Sequence, residues 1–487
     1  MTARSVSARR LREAAGPVRD QALRLWSDRS KMTLPTITVW LMILIMIVPQ
    51  GLDYRGINGM PSSGDAISRV TWLVLLGLGA YLTTRRVPRL KAFVREVNPF
   101  IWGLLLLASA SVLWSIEPTI TTRRVTRLVT ILLVCVGFAV SRWKEQRFQK
   151  HLRSILTWLL IASVIFVMLD PEDAIHMTNQ PESKDAWHGV TIGKNVLGSL
   201  ASAALVLWLH AWLSREAGAL KAFGGIAIAA LCLVRSRSST SLMATVFAVG
   251  FMLLLLRSPG SLRRYMPYLV GSFAAVILIY ALAVLRLVPA LEIILKPVVA
   301  LTGKDLTFTG RTAIWEILNE HIRQRPWLGT GYGAYWIGRI PTSPSYEMFT
   351  RLYFYPTEGH NGYLDVINDL GAVGGACLVG YFVAYIRQAL QLMRLDRYQG
   401  GLYLTLLFRG FMADMSESHW FSALAIDFAF MTLATMSLAR DLVQARIAAA
   451  LPVQAPAPTG GETRDARQSA GLTPTPMRGP LARHMRP

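Results

Sequence analysis

An eight-residue polar stretch in this apolar chain combines the side chains that acid–base catalysis needs. Glu358, His360, Asn361 and Asp365 lie together where a long polar loop meets an apolar segment. A histidine with a pKa near neutrality, held by a carboxylate, accepts a proton from a hydroxyl nucleophile. We therefore predict that His360 is a catalytic base, that Glu358 orients its imidazole, and that Asn361 and Asp365 support the site. A purely structural cap of the following helix is the alternative.

Several cations form a second candidate set, because arginine is costly near the membrane interior. The cost is several kcal/mol unless the side chain is paired or faces water, and guanidinium groups bind phosphate oxygens with two parallel hydrogen bonds. The set comprises Arg124, Lys194, Arg235, Arg237, Arg311 and Arg409. Their convergence on one side of the membrane predicts a site for an anionic head group, such as a lipid-linked diphosphate. Alternatively, each arginine pairs with a carboxylate such as Asp170, Glu358 or Glu417, or reaches lipid phosphate.

Further residues are predicted to support this site. Asn195 adds an amide at the start of an apolar span. Trp315 lies on the apolar face of an amphipathic helix that begins at Thr312 and is stopped by Pro326, and we expect it to anchor this helix at the membrane interface. The glycine-rich run 329–333 lacks the Gly-Lys-Ser/Thr of a phosphate loop, so it predicts a tight turn where the backbone approaches another element or a ligand.

The elements that must position these residues are membrane spans. The chain has 487 residues, of which 53% are hydrophobic and 16% are charged, and its mean hydropathy is +0.38. A soluble domain has about a quarter charged residues, so the apolar excess must contact lipid. We predict an all-α polytopic membrane protein with about twelve transmembrane helices. The spans lie near 33–49, 66–82, 99–114, 125–141, 153–169, 195–213, 217–234, 238–256, 265–287, 361–385, 401–413 and 420–438.

The charge distribution predicts the orientation of these spans. The formal net charge is +22, but the basic residues lie mainly in alternate loops, which is the positive-inside pattern of a membrane protein and argues against a nucleic-acid partner. Both termini are then cytoplasmic. The three cysteines lie within apolar spans and form no CxxC or Cys/His cluster, so we predict neither a metal site nor a cofactor.

These patterns divide the chain into five parts. They are a basic cytoplasmic segment (1–32), nine transmembrane helices (33–287), one large outward loop (288–360), three further transmembrane helices (361–440) and a disordered cytoplasmic tail (441–487).

Five short motifs occur in an order and spacing that resemble a known family. They are residues 114–118 (WSIEP) with Arg123 and Arg124, 193–198 (GKNVLG), 309–312 (TGRT) with Trp315, 326–333 (PWLGTGYG), and 360–365 (HNGYLD) with Leu370, Gly371 and Gly374. Together they resemble the O-antigen ligase / Wzy-type polymerase superfamily, and most closely its exopolysaccharide polymerase branch of the succinoglycan type. The resemblance covers about residues 33–440.

The resemblance implies a metal-independent glycosyltransferase of the bacterial inner membrane, with a GT-C-like fold and one large periplasmic loop. Such an enzyme transfers a glycan from undecaprenyl diphosphate to the hydroxyl of an acceptor glycan, and a chain-length regulator is a possible partner. By motif, Arg311 and His360 correspond to the essential loop arginine and histidine of the family. Arg235 or Arg237 matches a diphosphate-binding arginine less cleanly, and the sequence does not select one of them.

Two other functions compete with a polymerase that joins lipid-linked repeat units. The first is a ligase that transfers finished glycan to lipid A-core or to protein. The second is a polysaccharide transporter or flippase. Transporters usually have paired broken helices near the membrane midplane, whereas the polar residues of this chain cluster at one face beside one large loop. This pattern favours an enzyme.

Overall fold

The computed structural model describes residues 34–52, 66–85, 87–141, 148–176, 184–284, 311–338 and 341–450. Within these residues the chain is helical, apart from loops and one isolated antiparallel bridge between Ile175 and Trp187. The helices are α1 (Leu34–Leu52), α2 (Ala66–Thr84), α3 (Val87–Val94), α4 (Pro99–Ala110), α5 (Pro118–Ser141), α6 (Phe148–Leu169), α7 (Pro171–Ala174), α8 (Lys194–Leu213), α9 (Ala219–Arg235), α10 (Ser239–Arg257), α11 (Gly260–Arg263), α12 (Met266–Val284), α13 (Arg311–Gln324), α14 (Tyr346–Leu352), α15 (Gly362–Leu395), α16 (Arg397–Ala413) and α17 (Ile426–Ala450).

A helix lies in each of the twelve predicted apolar stretches. Six segments are long and apolar enough to cross a membrane: Ile67–Thr84, Pro118–Ser141, Phe148–Leu169, Lys194–Leu213, Ser239–Arg257 and Gly362–Leu395. The helices α1, α4 and α12 contain shorter apolar segments. The chain is therefore a multi-pass α-helical membrane protein, and the number of twelve crossings stays a prediction.

The long helix α15 organises one side of the bundle and is sharply kinked at Gly371. It packs against α4, α16 and α17. Gly371 has φ 67° and ψ −167°, a conformation that side chains rarely tolerate. The kink interrupts the helical hydrogen bonds, and the backbone of the preceding loop replaces them: the N–H groups of Ala372 and Val373 donate to the carbonyls of Pro326 and Trp327, at 2.8 and 3.3 Å.

The glycine-rich run 329–333 docks on the same part of α15. Gly329 and Gly331 have φ values of +67° and +101°. A Cβ on Gly329 would lie 2.5 Å from the carbonyl oxygen of Asn368. The N–H groups of Thr330 and Gly331 donate to the carbonyls of Asn368 and Asp369, at 2.9 and 3.0 Å. The predicted close approach of this turn to another element is confirmed.

Replacing Gly371 by alanine should destabilise the docked loop. The new Cβ would lie 2.2 Å from the backbone carbonyl of Trp327, and the conformation itself costs an alanine about 1–3 kcal/mol. We expect a lower thermal unfolding midpoint of the purified protein in detergent. Gly103→Ala in α4 is the matched control, because a Cβ there meets no atom within 4 Å. Equal midpoints for the two variants would contradict this account of the kink.

Two predictions about segment boundaries and contacts are corrected. The helix α17 continues to Ala450, past the boundary predicted at residue 440, and residues 451–487 lie outside the described part of the chain. The predicted amphipathic helix is α13, but Trp315 is only 3% exposed and so does not anchor the helix in lipid. Its apolar face is covered instead by protein, because α13 packs on α15.

Candidate active site

Four separate segments meet at the carboxylate of Glu417. This residue lies in the loop between α16 and α17, and its side chain is 10% exposed. One oxygen, Oε1, accepts hydrogen bonds from Asn195 Nδ2 at 2.7 Å and from Arg311 Nη2 at 3.1 Å. The other, Oε2, lies 3.6 Å from His360 Nδ1, which is also 3.3 Å from Glu358 Oε1. The structure thus brings together the predicted pair Glu358 and His360, the predicted loop arginine and Asn195.

The turn that carries His360 is held by the start of α15 and by the loop after α16. Asn361 is the N-cap of α15, since its Oδ1 accepts from the N–H groups of Tyr363 and Leu364, each at 3.1 Å. Its own N–H donates to Ser418 Oγ at 3.1 Å. Asn361 therefore caps the N-terminus of α15, a position at which asparagine is common. It also connects this end of the helix to the loop that contains Glu417.

Asp365 and Trp315 fix the backbone immediately before His360. Asp365 Oδ2 accepts from the N–H of Gly359 at 3.0 Å, and Oδ1 accepts from Trp336 Nε1 at 2.9 Å. Trp315 Nε1 donates to the carbonyl of Gly359 at 2.9 Å. His360 itself has φ +48°, in the left-handed region that is unfavourable for a side-chain-bearing residue. The hydrogen bonds of the Gly359 N–H and carbonyl groups hold this backbone conformation, in which the imidazole of His360 faces the two glutamates.

The two carboxylates set the protonation state of His360. Burial lowers its pKa, but interaction with Glu358 and Glu417 outweighs burial and raises the pKa to about 9. Burial of Glu417 raises its pKa, but the positive charges of His360 and Arg311 outweigh this and hold it below the ordinary value. The expectation of a pKa near neutrality for His360 is therefore wrong: in this arrangement the imidazolium form predominates at pH 7, because two negative charges rather than one flank the ring.

Two of the predicted diphosphate-binding arginines make protein contacts away from Glu417. Arg124 Nη2 donates to the carbonyl of Trp336 at 2.6 Å, and its side chain packs against Gly333. Arg409 is 4% exposed, forms an ion pair with Asp427 and donates to Ser199 Oγ at 3.1 Å. Arg409 therefore follows the alternative of pairing with a carboxylate. Arg124 is held by a backbone carbonyl instead.

The remaining predicted cations border the site. Lys194 begins α8, directly before Asn195. Arg235 is the last residue of α9 and Arg237 lies in the turn before α10; both are exposed, and the Arg235 guanidinium lies 5.1 Å from the ring centroid of Trp187. The start of α10 reaches the Glu417 loop through the hydroxyls of Thr240 and Ser416, which are 2.7 Å apart. These cations are thus placed at the same end of the helices as His360.

The loop between α16 and α17 contributes more to this site than the sequence motifs indicate. The motifs point to Glu417 only as one possible partner for an arginine, and they do not point to His419. His419 Nδ1 is 3.7 Å from Asp414 Oδ2, and its Nε2 is 3.7 Å from Asp427 Oδ2. Burial lowers the pKa of His419, but Asp427 and Asp414 outweigh it and raise the pKa. The available signal was the polar run 414–419 between two apolar spans.

The donor set of Glu358, His360 and Glu417 also has the composition of a metal site. One ligand atom from each lies within 4.8 Å of the others. However, Glu417 Oε1 already accepts from a guanidinium and an amide, and the positive charge of Arg311 at 3.1 Å repels a divalent cation. The described residues therefore fit a cluster of ion pairs better than a cation site.

Comparison with known proteins agrees with the motifs. A model of the O-antigen ligase family matches residues 224–379, a segment that contains Arg311 and His360 as well as the 235–240 turn. The exopolysaccharide production protein ExoQ of Rhizobium meliloti (strain 1021) is 26% identical over 314 residues, which cover 61% of this chain and 67% of that protein. The resemblance of this multi-pass membrane protein to the O-antigen ligase family, and within it to proteins of exopolysaccharide production, is confirmed.

Proposed function

We propose that this protein is a glycosyltransferase of the bacterial inner membrane that polymerises undecaprenyl-diphosphate-linked repeat units on the periplasmic face. The observation that carries the proposal is the convergence of Arg311 and His360, from two different segments, on Glu417. Glycan transfer from a lipid diphosphate requires a cation that binds the phosphate groups and a base that accepts the hydroxyl proton. An arginine and a histidine supply these two functions. The resemblance to an exopolysaccharide production protein favours the polymerase.

The proposed reaction is a single displacement at the anomeric carbon of the donor sugar. The acceptor hydroxyl oxygen forms the new glycosidic bond while the bond between the anomeric carbon and the diphosphate oxygen breaks. The diphosphate leaves with the electron pair, and the hydroxyl proton passes to Nε2 of His360, because Nδ1 faces the two glutamates. In-line attack inverts the anomeric centre. Since a diphosphate is already a good leaving group, the reaction needs cations at the departing oxygens more than it needs an acid.

Arg311 is the central cation in this proposal, and Lys194, Arg235 and Arg237 extend the positive charge along the diphosphate. In this structure Arg311 is neutralised by Glu417. Diphosphate binding would share this guanidinium between two anions, which is favourable only if further cations border the site. Preorganised positive charge at the departing oxygens would stabilise the transition state more than the ground state. Arg124 and Arg409 support the surrounding structure.

Lipid-linked glycan profiling in a deletion strain tests the proposal and separates it from ligation. If the protein is a polymerase, the strain should accumulate single lipid-linked repeat units and make no long polymer, and the wild-type gene should restore the polymer. If long glycan is still made but stays on the lipid carrier, the protein is a ligase. Accumulation of repeat units on the cytoplasmic face alone would instead indicate a flippase.

A further inference from the structure

A basic cleft lies between the turn that joins α8 to α9 and the end of α10. Its volume is about 400 Å³, and its lining includes Trp212, Arg215, Gly218 and Arg257. Arg215 and Arg257 are both exposed. The sequence motifs and the proposed reaction do not involve this cleft, so its chemistry requires a separate explanation.

The cleft lies at the end of the helices opposite to Glu417. The helix α8 starts at Lys194, beside the site, and ends at Leu213 after 20 residues, which corresponds to about 30 Å. The chain then returns through α9 to the turn beside the site and runs back through α10 to Arg257. The positive-inside pattern predicts that this end faces the cytoplasm.

The carboxylate nearest in sequence does not neutralise the cleft. Glu216 follows Arg215, but its side chain turns inward, where Oε2 lies 3.4 Å from Arg153 Nη1 and Oε1 accepts from Gln149 Nε2 at 3.0 Å. Among the described residues, neither Arg215 nor Arg257 has an ion-pair partner. Arg215 also has φ +59°, in the left-handed region of the backbone. The cleft therefore has two guanidinium groups that no carboxylate of the described residues neutralises.

Exposed apolar side chains adjoin this charge. The rings of Trp212 and Phe223 have centroids 5.4 Å apart and are 39% and 53% exposed. Leu220, in the first turn of α9, is 90% exposed. In a membrane protein such a surface contacts acyl chains, and tryptophan favours the boundary between hydrocarbon and head groups. A free phosphate ion would use only the arginines, whereas a phospholipid would use both the arginines and the adjoining apolar surface.

We infer that this cleft binds an anionic phospholipid, with its phosphate between Arg215 and Arg257 and its acyl chains over Trp212 and Phe223. Basic pockets between transmembrane helices on the cytoplasmic side are a known mode of lipid head-group binding. A zwitterionic head group has no net charge and would not neutralise the two guanidinium groups, whereas an anionic head group would. The inference does not depend on the proposed transferase reaction.

The test is lipid binding by the purified full-length protein in detergent, followed as the rise of the thermal unfolding midpoint on titration. The probes are phosphatidylglycerol, phosphatidylcholine and inorganic phosphate. We expect stabilisation by phosphatidylglycerol at concentrations where the other two have little effect. Each arginine near a membrane surface contributes about 1 kcal/mol, so Arg215→Gln and Arg257→Gln should each weaken phosphatidylglycerol binding about fivefold.

Arg394→Gln is the matched control, since Arg394 is exposed near the end of α15, at the same end of the helices and outside the cleft. It should leave the affinity for phosphatidylglycerol unchanged. Unchanged affinity in the Arg215→Gln/Arg257→Gln double variant would overturn the inference. So would an equal loss in Arg394→Gln, which would indicate a diffuse effect of net charge, or equal stabilisation by inorganic phosphate, which would remove the lipid from the assignment.

Discussion

His360→Ala is expected to lower the rate of glycan polymerisation by about two to four orders of magnitude, the usual contribution of a positioned acid–base group. The variant should still bind the lipid-linked donor, because Arg311 and the bordering cations are unchanged. The measurement is polymer formation from purified lipid-linked repeat units by the purified protein, with the amount of folded enzyme normalised by size-exclusion chromatography.

The matched control is His176→Ala. His176 is a partly buried histidine whose ring contacts that of His188 at a tilt of 49°, with centroids 4.7 Å apart, and it lies on the connection that leads to α8. Within the part of the chain that the structure describes, its side chain forms no hydrogen bond or ion pair with Glu417. We expect His176→Ala to retain most of the wild-type activity. Full activity in His360→Ala would exclude His360 as the base, and an equal loss in both variants would point to general damage of this end of the protein.

Glu417→Ala is expected to abolish activity, and Glu417→Gln to retain part of it with a shifted pH profile. Alanine removes the acceptor shared by Asn195 and Arg311 and leaves a partly buried guanidinium without its partner, which is strongly destabilising in buried ion pairs. Glutamine preserves an oxygen acceptor at the same position but removes the negative charge. The comparison therefore separates the hydrogen-bonding role of Glu417 from its charge.

The direction of the pH shift follows from the raised pKa of His360. With a pKa of about 9, the imidazolium predominates below that pH and the neutral base above it, so wild-type activity should rise about tenfold per pH unit between pH 7 and pH 8 and level off near pH 9. Glu417→Gln removes one of the two charges that raise the pKa, so the rising limb should move to lower pH. Rates across pH 6 to 10 at saturating donor measure both profiles.

A merely structural role of Glu417 would lower activity without moving this limb. Glu358→Gln offers a second check, because it also removes one charge beside the imidazole but leaves the contacts of Arg311 intact. The rising limb of the pH profile is expected to move to lower pH in this variant as well. If wild-type activity instead falls between pH 7 and pH 9, the imidazolium is the working form, and His360 stabilises the leaving diphosphate rather than accepting the hydroxyl proton.

Features that depend only on neighbouring residues could be predicted from the sequence. Membrane helices follow from local hydropathy, because each span must be apolar along its own length to remain in lipid. The cap at Asn361 and the close turn at 329–333 follow from local backbone geometry. The pairing of Glu358 with His360 is a local contact as well, since only Gly359 separates them in the chain.

The distant groups that share a site could not be predicted in this way, because helix packing brings them together. Glu417 meets Arg311 across a sequence separation of 106 residues, and nothing in the neighbourhood of either residue specifies this contact. The pKa of His360 depends on this same distant carboxylate, so its protonation state could not be predicted from Glu358 alone. Trp315 and Arg409 show the same limit. An amphipathic face or a buried arginine demands a partner, but helix packing decides whether that partner is lipid, substrate or, as for Arg409 and Asp427, another side chain.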